Sequence, residues 1–440
     1  MNRCPGFLSV VFPLLLGAQC LFAEEPAQPL TVDQAIAAVV KRNPSVRQAR
    51  LALEAAQWHT NNLKTLNYPV VNASLSDMYL GPEYPFTLGP QKLNMYPDNN
   101  FDAHVGAEYI AYDFGKRQAI IDNSAAAELA ANDKIAGLKA DLSYQVRQFF
   151  MTIIMQEKSL SIADSNIAEL DRHLDVVKKK IETGSATEYD VLKTEVQRAT
   201  ARGMRIDILN DLRKKRAFLN QLMGLSADAP LALVGAIDTL PFRCNGDSLY
   251  KAALAQRSDY ALATHSKLTA DLLLKAARLE NMPVLGLHAS AGFKNGFPDD
   301  KMPPDISTPR LNWALGGQVS VPIYDGNKTR LHVTESERLC SAAEAGISDK
   351  EEHIKIDLNQ ALADVDASFA RLDVSRTQVN TAARGLELAR LKYDAGVITN
   401  LDVLDAANDF LQAQLAHLQD QFRFMMSVFD LDKVTGRVLY

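Results

Sequence analysis

The sequence predicts an α+β membrane protein in which an internal two-fold repeat combines four β-strands with long coiled-coil helices. Three observations lead to this fold class. Landmark residues recur at one fixed spacing, four segments alternate apolar and polar residues, and long stretches carry apolar residues with a period of about 3.5. Each half of the chain should therefore form two strands followed by a very long helical hairpin.

The internal repeat is defined by landmark residues that lie 212 positions apart. The matched pairs are Asp113 and Asp325, Gly184 and Gly396, Asp190 and Asp402, and Gly224 and Gly436. A period of this length excludes a short solenoid repeat and indicates a duplicated half-protein. We expect repeat 1 at 24–224, an equatorial linker segment at 225–250 and repeat 2 at 251–440.

The N-terminus has the pattern of a secretory signal peptide at 1–23. Arg3 precedes an apolar run, and Ala23 precedes an acidic stretch, which suits cleavage after Ala23. Cys20 raises lipidation as the alternative, although the residues before it make a poor lipobox. Beyond Ala23 no stretch reaches the roughly 18 apolar residues of a transmembrane helix. We therefore expect an exported chain without a helical anchor.

Four segments alternate apolar and polar residues, as strands with one apolar face do. They lie near 70–80, 101–113, 284–294 and 311–324. Their lengths match a tilted transmembrane strand, and aromatic residues such as Trp313 lie toward strand ends, as in the aromatic girdle of a barrel. A sheet packed on a soluble core is the alternative that the period alone leaves open.

Four strands cannot close a barrel, and open sheet edges are not tolerated in lipid. The smallest useful barrels have about eight strands. The chain should therefore oligomerise to complete its sheet. Two copies would supply eight strands and three copies would supply twelve.

The helical segments have matched lengths in the two halves of the chain. The long segments are 116–183 and 326–395, the returning segments are 188–223 and 401–433, and the segments before the strands are 45–66 and 259–279. At 1.5 Å per residue these correspond to about 100, 50 and 30 Å. One short helix stacked on another nearly equals a long one, so the sequence predicts a helical cylinder about 100 Å long. The linker segment and the chain termini would form a girdle where the short helices meet.

The residue pattern excludes several classes of function. The eight histidines are scattered, and no His, Cys or carboxylate cluster has metal-ligand spacing. No nucleophile, phosphate-loop or dinucleotide motif is present, so we expect no enzyme, no cofactor and no metal site. The net charge of −6 gives no reason to expect nucleic acid. For Cys244 and Cys340 we favour two ordinary thiols over the disulfide that export would permit.

Three sets of motifs carry a family resemblance. They are the opening Leu30-Thr31 with Asn43-Pro44, the junctions Tyr112-Asp113-Phe114-Gly115 and Pro322-Ile323-Tyr324-Asp325-Gly326, and the turns Gly184-x5-Asp190-Val191-Leu192 and Gly396-x5-Asp402-Val403-Leu404. Together they resemble the TolC-type outer-membrane efflux protein family, over essentially the whole mature chain.

The resemblance implies a trimer, in which a 12-stranded β-barrel, with four strands per chain, is continuous with a coiled-coil helical barrel. It implies a location in the outer membrane, in contact with outer-membrane lipid, with the helical part in the periplasm. The implied function is a passive exit duct of a tripartite efflux or type I secretion system. A periplasmic adaptor (membrane fusion) protein and an inner-membrane transporter are the implied partners. The cargo could be a drug, a metal or a protein.

A different class of protein, a periplasmic coiled-coil scaffold or adaptor subunit, is the alternative. Such a protein would share the helical hairpins with the efflux family. It would not need the four alternating strands or the proline-rich loops between them. The strands therefore favour the duct.

The resemblance also implies roles for residues at the hairpin tips and junctions. The expected periplasmic gate residues are Asp190, Tyr393, Asp402 and Asp405. The expected adaptor-docking residues are Gly184, Ser185, Ala186, Gly396 and Val397. The strand-to-helix junction residues are Asp113, Gly115, Asp325 and Gly326. Tyr393 and Asp190 would tether neighbouring coiled coils, and Asp402 with Asp405 would form a carboxylate ring.

Plainer roles remain open for the same tip residues. The glycines suit a left-handed turn, and the acids favour a helix N-terminus. Thr187 and Asn400 are the expected helix caps. We interpret the basic run at 178–180 as a solvated face, with adaptor docking as the alternative. Where the family often has a basic residue, this chain has Ile398. We assign the second hairpin to the inner gate and the first to its outer tether.

Overall fold

The computed structural model describes residues 29–82, 85–88, 90–94, 97–235, 246–300 and 305–437. The predicted signal peptide at 1–23, the lipidation alternative at Cys20, and Cys244 lie outside the described residues. Within them Cys340 is a free, half-buried thiol.

The helices have the same four lengths in both halves of the chain. They are α1 Val32–Arg42, α2 Pro44–Lys64, α3 Lys116–Glu182, α4 Glu188–Leu222, α5 Gly246–Gln256, α6 Ser258–Arg278, α7 Lys328–Asp394 and α8 Asn400–Val434. The lengths 11, 21, 67 and 35 residues occur in this order twice. A short 3-10 helix follows α2 at Thr65–Asn67. Each long helix thus spans about 100 Å, as the sequence predicts.

The long helices organise the packing of the short ones. Helix α3 contacts α4 in one half of its length and α2 and α6 in the other, while α7 contacts α8, α6 and α5. Helix α3 also contacts α8, which joins the two hairpins side by side. The four hairpin helices therefore lie in the order α4, α3, α8, α7, and α4 and α7 are the edge helices.

The strands form a four-stranded antiparallel sheet in the order β1-β4-β5-β6. The strands are β1 Val70–Tyr79, β2 Pro85–Leu88, β3 Gln91–Asn94, β4 Asn99–Tyr112, β5 Val284–Lys294 and β6 Arg310–Ser320. Strands β2 and β3 form a separate hairpin between β1 and β4 that the sequence did not predict. Strand β6 ends at Ser320, and the predicted end at 324 was wrong. Pro322 follows, and proline has no N–H to donate to a ladder.

Both faces and both edges of this sheet are open in a single chain. On one face of β6 the large side chains of Leu311, Trp313 and Leu315 are 70–77% exposed. On the other face Lys294 forms an ion pair with Asp102 at 3.1 Å. Strands β1 and β6 each pair on one side only among the described strands. The sheet thus has one apolar face, one polar face and two edges that are unpaired among the described strands.

Gly292 of β5 lies where the β4 backbone leaves no room for a side chain. A Cβ there would lie 2.1 Å from the Ala103 carbonyl oxygen and 2.5 Å from His104 Cα. At Gly106 of β4, by contrast, the nearest atom would be 3.8 Å away.

We therefore expect Gly292→Ala to lower the thermal unfolding midpoint of the purified protein, whereas Gly106→Ala leaves it nearly unchanged. Overpacking typically costs about 1–3 kcal/mol, and here a main-chain oxygen and a Cα would have to move. Equal unfolding midpoints for the two variants would contradict the β4–β5 register.

The strand-to-helix junctions at Asp113 and Asp325 share one construction. Asp113 accepts hydrogen bonds from the amide N–H groups of Gly115 at 3.2 Å and Arg117 at 2.9 Å. Asp325 accepts one from the Thr329 amide at 2.8 Å. Gly115 and Gly326 both have positive φ, of 87° and 71°. The four predicted junction residues therefore turn the chain from the sheet into the long helices.

The largest apolar core lies near the middle of the helical region. It is built around Phe150 and Ile153 of α3 and Leu219 of α4, all at most 1% exposed, and it includes side chains of α1. Leu30 pairs with the linker through its amide, which donates to the Ala232 carbonyl at 2.9 Å. The N-terminal segment and part of the linker thus lie together at the level where the predicted girdle was expected.

Candidate gate at the hairpin tips

The two hairpins reverse direction in the same way. Gly184 and Gly396 both have a φ of 74°, in the left-handed region. The amide of Ser185 donates to the Lys180 carbonyl at 2.8 Å, and the amide of Val397 donates to the Lys392 carbonyl at 2.9 Å. These bonds across each glycine are those of a Schellman helix end. The predicted turn role of both glycines is therefore present at both tips.

The returning helices begin with matched capping boxes. The carboxylate of Asp190 accepts hydrogen bonds from the Thr187 amide at 2.9 Å and hydroxyl at 2.7 Å. The carboxylate of Asp402 accepts the same two bonds from Thr399, at 2.8 and 2.6 Å. Thr187 is the predicted cap of α4, but the predicted cap of α8, Asn400, was wrong. Thr399 is the N-cap of α8, because it is the residue immediately before the first helical residue, Asn400.

The carboxylates of Asp402 and Asp405 differ in their surroundings. The bonds from Thr399 hold the pKa of the exposed Asp402 carboxyl below its usual value. This capping contribution is present above the ordinary pKa and is lost as pH falls through the lowered one. Asp405 is exposed and makes no hydrogen bond or ion pair with any described residue. Of the two carboxylates, that of Asp405 is therefore the one not held by hydrogen bonds from described residues.

Tyr393 is buried at the end of α7, and its hydroxyl has no hydrogen-bond partner among the described residues. The side chain is 6% exposed, and no described group hydrogen-bonds to its oxygen. Burial, and then the negative charges of Asp190 and Asp394, raise the pKa of this phenol. Asp190 lies near Tyr393 but uses its carboxylate in the α4 cap. Within one chain the two predicted tether residues are thus neighbours without a shared hydrogen bond.

Several bonds join the first hairpin to the second at the tips. The Lys180 ammonium donates to the main-chain carbonyls of Tyr393, at 2.5 Å, and Asp394, at 3.2 Å. It also lies over the Tyr393 ring, 4.4 Å from the centroid. Glu169 and Arg390 form an ion pair at 2.6 Å. The interpretation of Lys180 as part of a solvated face was incomplete, because its partners are carbonyls 213 and 214 positions away.

A buried polar pair also crosses between the hairpins. His173 Nε2 of α3 lies 2.7 Å from Asn400 Oδ1 of α8. The Asn400 amide nitrogen donates to the Asp190 carbonyl at 3.1 Å and to the Thr194 hydroxyl at 3.2 Å. Sequence reasoning missed His173. The only available signal was a histidine beside the apolar seam of α3, at Leu174.

An apolar core shared by both hairpins surrounds these bonds. Its buried members are Val177, Leu386, Tyr393, Val403 and Ala407. They come from α3, α7 and α8, and Val191 of α4 packs against them. The tips of the two hairpins therefore form one four-helix unit within a chain.

The described residues contain no group of three or more His, Cys, Asp or Glu side chains placed to hold a metal ion. Among the described helices none is long and apolar enough to cross a membrane.

Comparison with known proteins identifies the family. The model of the outer membrane efflux protein family matches residues 35–225 and 249–437, which together make up most of the chain. The chain belongs to the outer membrane efflux protein family. Its two matched segments each contain one complete helical hairpin and two strands of the four-stranded sheet.

Individual relatives agree with this assignment. The outer membrane efflux protein BepC of Brucella suis biovar 1 is 23% identical over 72% of this chain and 68% of its own length. The cobalt-zinc-cadmium resistance protein CzcC of Cupriavidus metallidurans is 21% identical over 95% of this chain and 92% of its own length. The solved structure of VceC from Vibrio cholerae has a TM-score of 0.77 at 18% identity, covering 92% of this chain and 96% of that one.

Membership confirms the resemblance found from the motifs, an outer-membrane factor of the TolC type. The protein is located in the outer membrane, with its helical domain in the periplasm, and it serves efflux. The α+β fold with four strands and long hairpins agrees with the solved structures.

Proposed function

We propose that three copies of this chain form an exit duct, in which a closed 12-stranded barrel continues into a tunnel of helices. The duct passively conducts cargo delivered by a periplasmic adaptor and an inner-membrane transporter, and it closes at the hairpin tips. The observation that carries the proposal is that the described part of a single chain leaves both edges of its sheet, and both of its edge helices, without a packing partner on the outer side. The two repeated hairpins place these edge helices at matching depth.

The outer face of α4 carries an exposed apolar stripe with heptad spacing, which we name the α4 seam. Its residues are Tyr189, Leu192, Val196, Ala199, Gly203 and Ile206. They are spaced 3, 4, 3, 4 and 3 positions apart, and all are exposed. Leu192 is 55% exposed, although this spacing is that of residues which pack into a coiled coil.

Helix α7 carries a corresponding stripe, which we name the α7 seam. Its residues are Val374, Thr377, Thr381, Arg384, Leu388 and Leu391, again all exposed. The α4 seam lies 5, 8, 12, 15, 19 and 22 positions after Gly184, and the α7 seam lies at the same six distances before Gly396. Since one helix leaves its tip and the other approaches its tip, the seams are antiparallel and equally deep.

These seams favour a ring of copies. Because α4 and α7 are the two edge helices of a chain, the α4 seam of one copy can pack on the α7 seam of the next. Such a head-to-tail contact generates a closed ring when the rotation permits. Edge strands β1 and β6 would pair between copies in the same direction around the ring. Family membership supports three copies over two.

The tips supply candidate gate and docking groups. The buried Tyr393 hydroxyl lacks a hydrogen-bond partner in the described part of its own chain, which supports a bond to a neighbouring copy. Asp402 and Asp405 from three copies would place six carboxylates at the entrance. Gly184, Ser185, Gly396 and Val397 are exposed at the tips, and Ala186 is partly exposed, which leaves them available to an adaptor.

A planar-bilayer recording tests the duct and its gate together. Wild-type protein purified as a trimer should give small, stable conductance steps. Tyr393→Phe should give larger or more frequent ones, because losing a buried hydrogen bond of about 1 kcal/mol shifts a closed-to-open ratio roughly fivefold. Absence of any conductance from a confirmed trimer would reject the duct. Unchanged conductance in the variant would remove Tyr393 from the gate.

The scaffold alternative does not account for the four-stranded sheet. A periplasmic adaptor needs the hairpins, but it does not need a sheet that exposes Trp313 and Leu315 to 75% and 77%. Exposure of large apolar side chains along a strand suits a lipid-facing surface. The sheet therefore supports the duct over the scaffold.

A further inference from the structure

The His173–Asn400 pair is a contact between hairpins that the duplication does not explain. Both side chains are buried, at 8% and 3% exposure, and their polar atoms lie 2.7 Å apart. At the matched position of the other repeat Asn400 corresponds to Glu188, which is exposed, and His173 corresponds to Gly385. The turn and the capping box occur at both tips, whereas this pair occurs at one.

Asn400 is bound from both helices of the first hairpin. Its carbonyl oxygen faces His173 of α3, and its nitrogen donates to the Asp190 carbonyl and the Thr194 hydroxyl of α4. One residue at the start of α8 thus bonds to both α3 and α4. Any movement of the second hairpin away from the first must break these bonds or carry the first hairpin along.

The charges around His173 come from each helix that surrounds it. From its own helix Glu169 faces it, from α7 Arg390 and Asp394 do so, and the Tyr393 ring packs on it at 5.4 Å. Helix α8 contributes only the neutral Asn400 at this site, and α4 contributes the Asp190 backbone through Asn400. Glu169 is itself paired with Arg390, and no described carboxylate forms an ion pair with the imidazole.

The pKa of His173 follows from this environment. Burial lowers this pKa, and the charge of Arg390 lowers it further. The hydrogen bond to Asn400 and the negative charges of Glu169 and Asp394 oppose part of the shift. The joined tip therefore favours the neutral imidazole. If the hairpins separate and water reaches the ring, its pKa returns toward the ordinary value of 6.5. Stabilisation of the joined tip is then complete above that value and is lost as pH falls through the lowered pKa.

We propose that His173 and Asn400 form a proton-sensitive tie that holds the two hairpins of one chain together at the tip and loosens when His173 takes up a proton. This inference rests on the proposed duct and adds a regulation of its gate. His173 is a positioning residue here, because it fixes the second hairpin through Asn400 and need not touch the cargo.

A second, partly buried histidine provides the matched control. His417 of α8 bonds to the Ser375 hydroxyl at 2.9 Å and to the Gln421 amide at 3.2 Å. Burial also lowers its pKa. Both of its hydrogen-bond partners lie in the second hairpin, on α7 and α8, so its protonation breaks no hydrogen bond to the first hairpin.

The test compares bilayer conductance between about pH 8 and about pH 5, the range in which an imidazole titrates. Wild type and His417→Gln should conduct more as pH falls, while His173→Gln should show a flat profile. Each unit by which the joined tip lowers the pKa changes the open-to-closed ratio by about tenfold. A pH profile retained in His173→Gln, or lost equally in His417→Gln, would overturn the tie.

Hydrogen exchange in the same trimers separates this inference from the duct. Amides in the first turns of α8 should become less protected at the lower pH, after correction for intrinsic exchange, in wild type but not in His173→Gln. That result without conductance in any sample would keep the tie and reject the duct. Conductance together with identical exchange in both proteins would reject the tie and keep the duct.

Discussion

The substitution Leu192→Glu should convert the assembled protein into single chains that remain folded. The side chain lies on the α4 seam, and burying a leucine contributes about 1.5–3 kcal/mol, whereas burying an unpaired carboxylate costs several kcal/mol. Because every copy carries the substitution, it weakens every contact between neighbouring copies around a ring. Light scattering in detergent measures the mass, and circular dichroism reports the helices.

Lys193→Glu is the matched control for this change. Lys193 is the next residue on α4 and is also exposed, but it is not on the seam. It should leave the assembly intact although the same side chain is introduced. Dissociation by both variants, or by neither, would contradict packing through the α4 seam.

The register of the two seams can be tested by a charge pair. Leu192 and Leu388 each lie eight positions from a tip glycine, whereas Val374 lies 22 positions from one. Leu192→Lys should dissociate the assembly, and adding Leu388→Glu should restore it. Adding Val374→Glu instead should not restore it, because the new charge lies about 20 Å farther from the tip at 1.5 Å per residue. Restoration by Val374→Glu would rule out the proposed register.

Replacement of the tip carboxylates should remove block of the duct by multivalent cations. Carboxylates gathered around an axis attract a di- or trivalent ion strongly in a narrow, poorly hydrated entrance. Asp405→Asn should have the larger effect, because its carboxylate is free, whereas Asp402 is bonded to Thr399. We expect the blocking concentration to rise at least about tenfold for Asp405→Asn, which corresponds to about 1.4 kcal/mol.

Asp373→Asn is the control for the carboxylate ring. Asp373 is an exposed acid on α7, far from the tip in sequence, so its loss should leave the block unchanged. Asp402→Asn should weaken the block less and also destabilise the start of α8, because its carboxylate accepts both hydrogen bonds from Thr399. Equal block in wild type and in the Asp402, Asp405 double variant would refute the ring.

Much of the fold could be predicted from the sequence because its determinants are local and repeated. A strict heptad seam fixes a long helix, and alternation fixes a strand. The tip glycines and Thr187 could be placed because turns and caps involve residues a few positions apart. The true start of α8 was missed by one residue, since Thr399 and Asn400 are both good capping residues and only the backbone decides between them.

The contacts between hairpins could not be predicted, for a physical reason. His173 and Asn400 are 227 positions apart, and Lys180 binds main-chain carbonyls that carry no sequence information. A polar residue beside an apolar seam looks the same whether it faces water or a distant partner. The β2–β3 hairpin was missed because its four-residue strands are too short to show an alternation.

The head-to-tail order of the edge helices has a genetic consequence. A chain with a damaged α4 seam still offers an intact α7 seam, and a chain with a damaged α7 seam still offers an intact α4 seam. When both are expressed together, each sound contact needs one chain of each kind in a fixed order. A ring of three can contain at most one such contact, so the two alleles should fail to complement each other. Either allele should also be dominant-negative over the wild type, because every ring that incorporates a damaged chain contains at least one contact with a damaged seam.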